Sequence, residues 1–219
     1  MKIAIVNDHP NTQEHMVSEA EKIKKVPQLL LIGASTGGPL AISKILGSMP
    51  SDFNKAIVIV QHVNKNFIFS FAQWLSMFTP LPVEIACEGC VPQPGIVYVA
   101  GTNDHLALSD KFAFKYHSKP ENLPYRPSID VLFNSATSWP KKSVAVLLTG
   151  MGDDGARGLK NLQDVGWQTL TEDKSSCVVY GMPKAAIEMH AVSQVCSLDN
   201  MQEAIINHFT FLDKSTRKI

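Results

Sequence analysis

The sequence predicts an α/β fold: a doubly wound, mostly parallel sheet with an added antiparallel hairpin and helices on both faces, a Rossmann-like three-layer arrangement. Three observations predict it. The apolar runs at 29–32, 56–60 and 143–148 show no polar alternation, which is how strands buried on both faces read. Segments with helical spacing separate them, and strands alternating with helices imply parallel crossovers. Each run also ends in a polar or glycine-rich turn. At 219 residues, 45% of them hydrophobic, the chain suits one such domain with a short appendage.

In chain order, residues 2–6 read as a short strand and 11–25 as a charged helix, broken at Pro27. The strand at 29–32 runs into Gly33-Ala34-Ser35-Thr36-Gly37-Gly38-Pro39. Pro39 sits where a first helical turn accepts proline, and a helix at 40–46 ends near Gly47 and Pro50. The strand at 56–60 ends at Gln61-His62, and an aromatic-rich amphipathic helix at 67–78 is stopped by Pro80. Residues 83–100 read as short strands with turns at 90–95. Residues 106–108 and 112–115 form a hairpin around Ser109-Asp110, adding antiparallel strands to the sheet. A loop with three prolines spans 120–127, Ser128 caps a helix that runs through Ser138, and Pro140 lies beyond its end. The strand at 143–148 ends at Thr149-Gly150-Met151-Gly152-Asp153-Asp154-Gly155-Ala156. A helix at 159–165, a strand at 167–170, a helix at 183–189, a strand at 192–195 and a closing helix at 198–209 complete the pattern.

Charge is balanced, 20 basic residues against 20 acidic, so no surface for a nucleic acid is implied. The apolar stretch before Asn7-Asp8 is too short for a signal peptide, and no run approaches the ~18 apolar residues of a membrane span. The expectation is a soluble cytoplasmic protein with no membrane insertion. Cys87-Glu88-Gly89-Cys90 has metal or redox spacing. A zinc site wants a second close pair, which Cys177 and Cys196 do not supply, and a redox motif should open a helix rather than run into a turn. Plain reduced thiols are therefore expected, with neither metal nor cofactor.

Three readings of the Ser35 turn stand on local grounds: a nucleophile elbow, a phosphate cradle, or a plain strand-to-helix turn. Gly33-Ala34-Ser35-Thr36-Gly37 fits G-x-S-x-G and presents hydroxyls at a helix N-terminus, where negative charge is favoured. A Walker loop would need a lysine, and a dinucleotide fingerprint would need differently spaced glycines. The other strand ends bear on the choice. His62 and Asp153-Asp154 also follow buried strands, and open α/β sheets bind ligands beyond the carboxyl ends of their strands. A lone strand-end histidine is usually structural, and a lone aspartate in such a turn usually binds local N–H groups. Together with Ser35 they compose a nucleophilic triad if the strands are neighbours, with His62 as the base. The Gly150-Met151-Gly152 turn can offer backbone N–H groups to an oxyanion. The order Ser, His, Asp differs from that of α/β-hydrolases.

Seven segments then bear a family resemblance: IGASTGGP at 32–39, QH at 61–62, FSFAQWL at 69–75, PGIVYVA at 94–100, YRPSIDVLF at 125–133, LLTGMGDDGA at 147–156 and VVYGMPKAA at 178–186. In this order they resemble the catalytic domain of the chemotaxis protein-glutamate methylesterase/glutaminase, CheB, over residues 31 to about 200. The resemblance implies hydrolysis of glutamyl methyl esters and deamidation of glutamines on the cytoplasmic helices of methyl-accepting chemotaxis receptors, within two-component signalling and near receptor arrays at the inner membrane. It implies Ser35 as nucleophile, His62 as base and Asp154 as the triad aspartate, with Asp153 at a variable position. It also implies that Met151 offers its N–H to the oxyanion and that Thr36, which follows the nucleophile, is adjacent to that site. Tyr125 and Arg126 either line the substrate groove or hold the helix that Ser128 caps. Differences from the family pattern fall on the rim rather than the triad: Val63-Asn64 after the base, Gly101 after Ala100, Trp74 where arginine is frequent, and no glutamine in 169–172.

The division expected is 1–27 as the remnant of a receiver domain and 28–219 as the catalytic domain. MKIAIVNDHP resembles a receiver's first strand and acidic turn, and the chain then reaches the esterase by Gln28, so control by phosphorylation is not expected. Two rivals are a catalytically idle receptor-docking module and an esterase for small esters.

Overall fold

The structure, a computed structural model, describes Ile23 and residues 25–216; the expected strand at 2–6 and most of the helix at 11–25 lie outside the described residues. Among the described residues the chain runs β1 (Leu29–Ala34), α1 (Gly38–Gly47), β2 (Ala56–Gln61), α2 (Lys65–Ser76), β3 (Val83–Ile85), β4 (Val97–Val99), β5 (His105–Leu108) and β6 (Phe114–His117). It continues through α3 (Ile129–Ser135), a 3-10 turn (Ala136–Ser138), β7 (Val144–Leu147), α4 (Ala156–Asp164), β8 (Gln168–Glu172), α5 (Met182–Glu188), β9 (Gln194–Cys196) and α6 (Met201–Thr216). No helix among the described residues is long and apolar enough to cross a membrane.

Seven strands form one sheet in the order β3-β4-β2-β1-β7-β8-β9, and every pairing in it is parallel. The absence of polar alternation in β1 now has its cause, since both faces are covered. Leu30, Ile32 and Ala34 pack with Ile42 and Leu46 of α1, Phe71 and Leu75 of α2, and Ile205 and Phe209 of α6. Leu29 and Leu31 pack with Leu132 and Phe133 of α3, Leu159 and Leu162 of α4, and Met182 and Ala186 of α5. Each fully buried aliphatic or aromatic side chain stabilises the fold by about 1.5–3 kcal/mol relative to exposure. The chain leaves β1 toward β2 on one side and later returns to its other side as β7. The crossover places a switch point at the carboxyl end of β1, where such sheets hold their sites.

Two expectations change on inspection of the hairpin region. β5 and β6 are antiparallel, as read, but they form a separate two-stranded sheet and do not join the parallel one. Their apolar residues Leu106, Leu108 and Phe114 instead roof one face of the core. The expected reduced state of Cys87 and Cys90 is corrected, because the two are joined as a disulfide. They occupy a tight turn in which the Cys90 N–H donates to the Cys87 carbonyl and Gly89 takes φ 78°, so their Cα atoms come within 5.5 Å. Cys177 and Cys196 are free thiols; burial, then the Glu172 charge, pushes Cys177 up to about 12, and burial, then the Asp173 charge, pushes Cys196 up to about 11.

Candidate active site

β2, β1 and β7 are adjacent and parallel, so Ser35, His62 and the Asp154 turn share one edge of the sheet. Backbone bonds tie these turns together. Ser35 N–H donates to the Thr149 carbonyl at 3.0 Å, and His62 N–H donates to the Ala34 carbonyl at 3.0 Å. Gln61 adds a side-chain clamp, its Nε2 donating to the carbonyls of Ser35 at 2.9 Å and His62 at 3.1 Å. The chain can turn this sharply after Ser35 because Gly37 takes φ 85° and Gly38 lies against that clamp. A Cβ at Gly38 would stand 2.1 Å from Gln61 Oε1, so any other residue there would push the clamp away.

His62 Nε2 lies 2.8 Å from Asp154 Oδ2, with both side chains 8% exposed. Asp154 receives three further donors: Ser128 Oγ at 2.7 Å, Ile129 N–H at 2.8 Å and Asp130 N–H at 3.1 Å. Burial opposes its ionisation, but the bonds from His62, the Ile129 amide, Ser128 and the Asp130 amide outweigh that, and the carboxyl is held below the usual carboxylate range. The expected N-cap of α3 is therefore also part of the candidate site. Ser128 Oγ accepts from Val131 N–H while donating to Asp154. The Ser35 hydroxyl makes no hydrogen bond with His62 here, and His62 Nδ1 is buried without a partner among the described residues. The histidine–aspartate half is assembled and the serine–histidine contact is not.

Behind Ser128 stands His105, which is fully buried. Its Nδ1 accepts the Ser128 N–H at 3.0 Å and its Nε2 donates to the Pro120 carbonyl at 3.0 Å, which fixes the neutral form protonated on Nε2. Burial pushes its pKa below the usual imidazole value. The unfolded chain, with an ordinary histidine near pH 6.5, therefore binds a proton that the folded chain refuses. Stability is full above about pH 6.5 and falls as pH drops below it. His208, lowered by burial, contributes in the same window. Denaturant midpoints measured between pH 5 and 7.5 should fall with acidity in the wild type. That slope should shrink, without vanishing, in His105→Gln; an unchanged slope contradicts this role for His105.

Across the Ser35 turn, Ser35 and Gly150 use their amides on the Thr149 and Val179 carbonyls. Among the described residues the amides of Thr36 and Met151 have no protein acceptor. Gly150 is required there, since a Cβ would lie 2.2 Å from Met182 Sδ and 2.7 Å from Ser35 Cβ. Beside His62 opens a cavity of about 480 Å³ lined by His62, Val63, Asn64, Asn103, Tyr125 and Arg126, together with Pro124. Tyr125 stacks on the His62 ring with centroids 4.3 Å apart and planes 8° from parallel. Arg126 pairs with Asp104 at 3.1 Å. Both residues thus face the cavity while also preceding α3.

Several residues of this site escaped sequence reading. Gln61 and Glu172 are the last residues of β2 and β8, and that strand-end position, with the QH motif in the case of Gln61, is the signal that could have found them. His105 opens an apolar hairpin strand and carries no local mark of its bond to Ser128, 23 residues away.

The chain matches the CheB methylesterase family over residues 30–205. A protein-glutamate methylesterase/protein-glutamine glutaminase of Burkholderia pseudomallei (strain 1710b) is 48% identical over 183 residues, 83% of this chain and 54% of that protein. Its counterpart in Cupriavidus metallidurans is 44% identical over 193 residues, 88% of this chain and 57% of that protein. The chain thus spans about half the length of the curated relatives it matches. The crystal structure of the Thermotoga maritima CheB methylesterase catalytic domain superposes with a TM-score of 0.78 at 34% identity, covering 83% of this chain and 98% of that one. On sequence and architecture alike, the chain belongs to the CheB methylesterase family.

Proposed function

We propose that this chain is a serine hydrolase that removes methyl groups from glutamyl methyl esters, and deamidates glutamines, on the cytoplasmic helices of chemotaxis receptors. The catalytic unit is the chain from Gln28 onward. The observation that carries the reading is His62, bound through Nε2 to the multiply held carboxylate of Asp154, one strand from Ser35, with Nδ1 unpaired among the described residues. A neutral imidazole with Nε2–H on Asp154 leaves Nδ1 as the base.

In this reading His62 Nδ1 takes the Ser35 proton as Oγ attacks the ester carbonyl. The amides of Thr36 and Met151 receive the developing oxyanion; such donors are each worth about 3 kcal/mol in the transition state. The tetrahedral intermediate collapses, methanol leaves with the proton returned by His62, and an acyl-enzyme on Ser35 remains. Water, deprotonated by the same histidine, then releases the glutamate side chain. With a glutamine substrate the leaving group is ammonia. Asp154 orients the ring and stabilises the imidazolium throughout. Tyr125 sets the plane of His62 by stacking, and Arg126, fixed by Asp104, lines the mouth that takes the chain around the ester.

The test is methanol release from methylated receptor membranes, with Ser35→Ala beside the wild type. Wild-type release and none from the variant is the expected pair. Release from small methyl esters alone would make this a small-ester esterase, and none from either substrate would leave an idle docking module.

A further inference from the structure

Glu172 closes β8 with no exposed surface, and no step above uses it. A buried carboxylate calls for partners on both oxygens. Oε2 accepts the Thr149 N–H at 3.0 Å, whereas Oε1 has no hydrogen-bond partner among the described residues. The bond is local to the site in an unusual way. β7 ends at Leu147, so the buried Thr149 amide lies past the last strand pairing and Glu172 is its acceptor.

Thr149 is also where the turns of the site meet. Its carbonyl accepts the Ser35 N–H at 3.0 Å, and its hydroxyl donates to the Thr36 carbonyl at 2.9 Å. The same hydroxyl accepts the Val179 N–H at 2.9 Å. Two residues on stands Met151, whose amide has no protein acceptor among the described residues. A shift of Thr149 would move the nucleophile turn and the Met151 amide relative to one another.

We propose that Glu172 is a positioning residue for hydrolysis at Ser35: its carboxylate, by holding the Thr149 amide, sets the spacing between the Ser35 turn and the Met151 amide. The inference rests on the serine-hydrolase reading. What the site needs from Glu172 is an acceptor, not a charge. A negative charge near a forming oxyanion works against it, and a glutamine accepts the same N–H while offering its amide at the unpaired Oε1 position.

The experiment compares Glu172→Gln, Glu172→Leu and Glu172→Met with wild type. Glu172→Gln should hold kcat within about twofold of wild type or raise it. Glu172→Leu should lower kcat at least about 10-fold with KM within about twofold, because transition-state contacts rather than ground-state binding are lost. Glu172→Met, close in volume, should do the same and serves if the leucine variant fails to fold. Amide hydrogen exchange supplies a readout independent of activity. The Thr149 and Ser35 amides should stay protected in Glu172→Gln and exchange faster in the leucine or methionine variant. Full kcat without an acceptor at 172, unchanged protection at Thr149, or a glutamine variant as poor as the apolar ones overturns the proposal. A wild-type chain inactive on methyl esters overturns the hydrolase reading instead, and the exchange data still decide whether Glu172 holds Thr149.

Discussion

Replacing Ser35 with alanine is expected to lower kcat for methanol release by about 10⁶-fold while leaving the fold intact. The substitution removes one atom, Oγ. The bonds that shape the turn are made by the backbone of residue 35, from its amide to the Thr149 carbonyl and from Gln61 to its carbonyl, so they persist. The change in stability should stay within about 0.5 kcal/mol, since the hydroxyl makes no hydrogen bond with the described residues. What survives of the rate should come from the Thr36 and Met151 amides and from substrate binding. KM should move little, because the nucleophile contributes to the transition state rather than to docking. Gas-chromatographic assay of methanol from methylated receptor membranes reads the loss directly. A variant that retains a tenth of the wild-type rate would remove Ser35 from the mechanism.

The second large effect is expected at Asp154. Four donors converge on its two oxygens, from His62, Ser128, Ile129 and Asp130. Asparagine keeps the shape but turns one acceptor oxygen into an NH₂ donor. That group must face either Ser128 Oγ and the Asp130 amide or His62 and the Ile129 amide, and in each case donor meets donor. If it faces His62, the imidazole is forced into the wrong tautomer, with its proton on the nitrogen needed as base. The drop in kcat should be about 10⁴-fold. Folding should suffer too, by about 1.5–3 kcal/mol for hydrogen bonds to a charged group. The pH dependence separates the two consequences. Because the folded pKa of Asp154 lies below its unfolded value near 3.9, its stabilising contribution is present above pH 4 and is lost as the pH falls through the folded value. Denaturation curves should show that acid limb in the wild type and a flatter one in Asp154→Asn, while kcat stays low at every pH. A variant within 10-fold of wild-type kcat would mean that Asp154 supports the loop and does not orient His62.

Ser35, His62 and Asp154 stand out in the chain because each follows a strand without polar alternation, and such a strand must be buried on both faces. Periodicity does not say which strands are neighbours. The order β2-β1-β7 that brings the three turns to one edge is a property of the crossovers, and in the sequence it stands only as a condition on the triad. Gln61, His105 and Glu172 were harder for a physical reason. Each works by hydrogen-bonding a backbone group 23 to 26 residues away, and no local pattern encodes such a bond. The same holds for the hairpin. Its two strands and turn are readable, but its position over the core depends on what Leu106, Leu108 and Phe114 cover. The cysteine pair was misread because the spacing was weighed against helix-borne redox motifs, whereas Gly89 closes a turn tight enough to join the sulfurs.

The most direct measurement asks which atom forms the covalent bond. The chain is treated with a fluorophosphonate, which captures an activated serine and mimics the tetrahedral intermediate, and the product is read by intact-mass and peptide mass spectrometry. One adduct per chain is predicted, on Oγ of Ser35, and it should form far more slowly in Asp154→Asn, where the base is held in the wrong tautomer. An unmodified chain, or an adduct on any other residue while Ser35 stays free, would contradict the account.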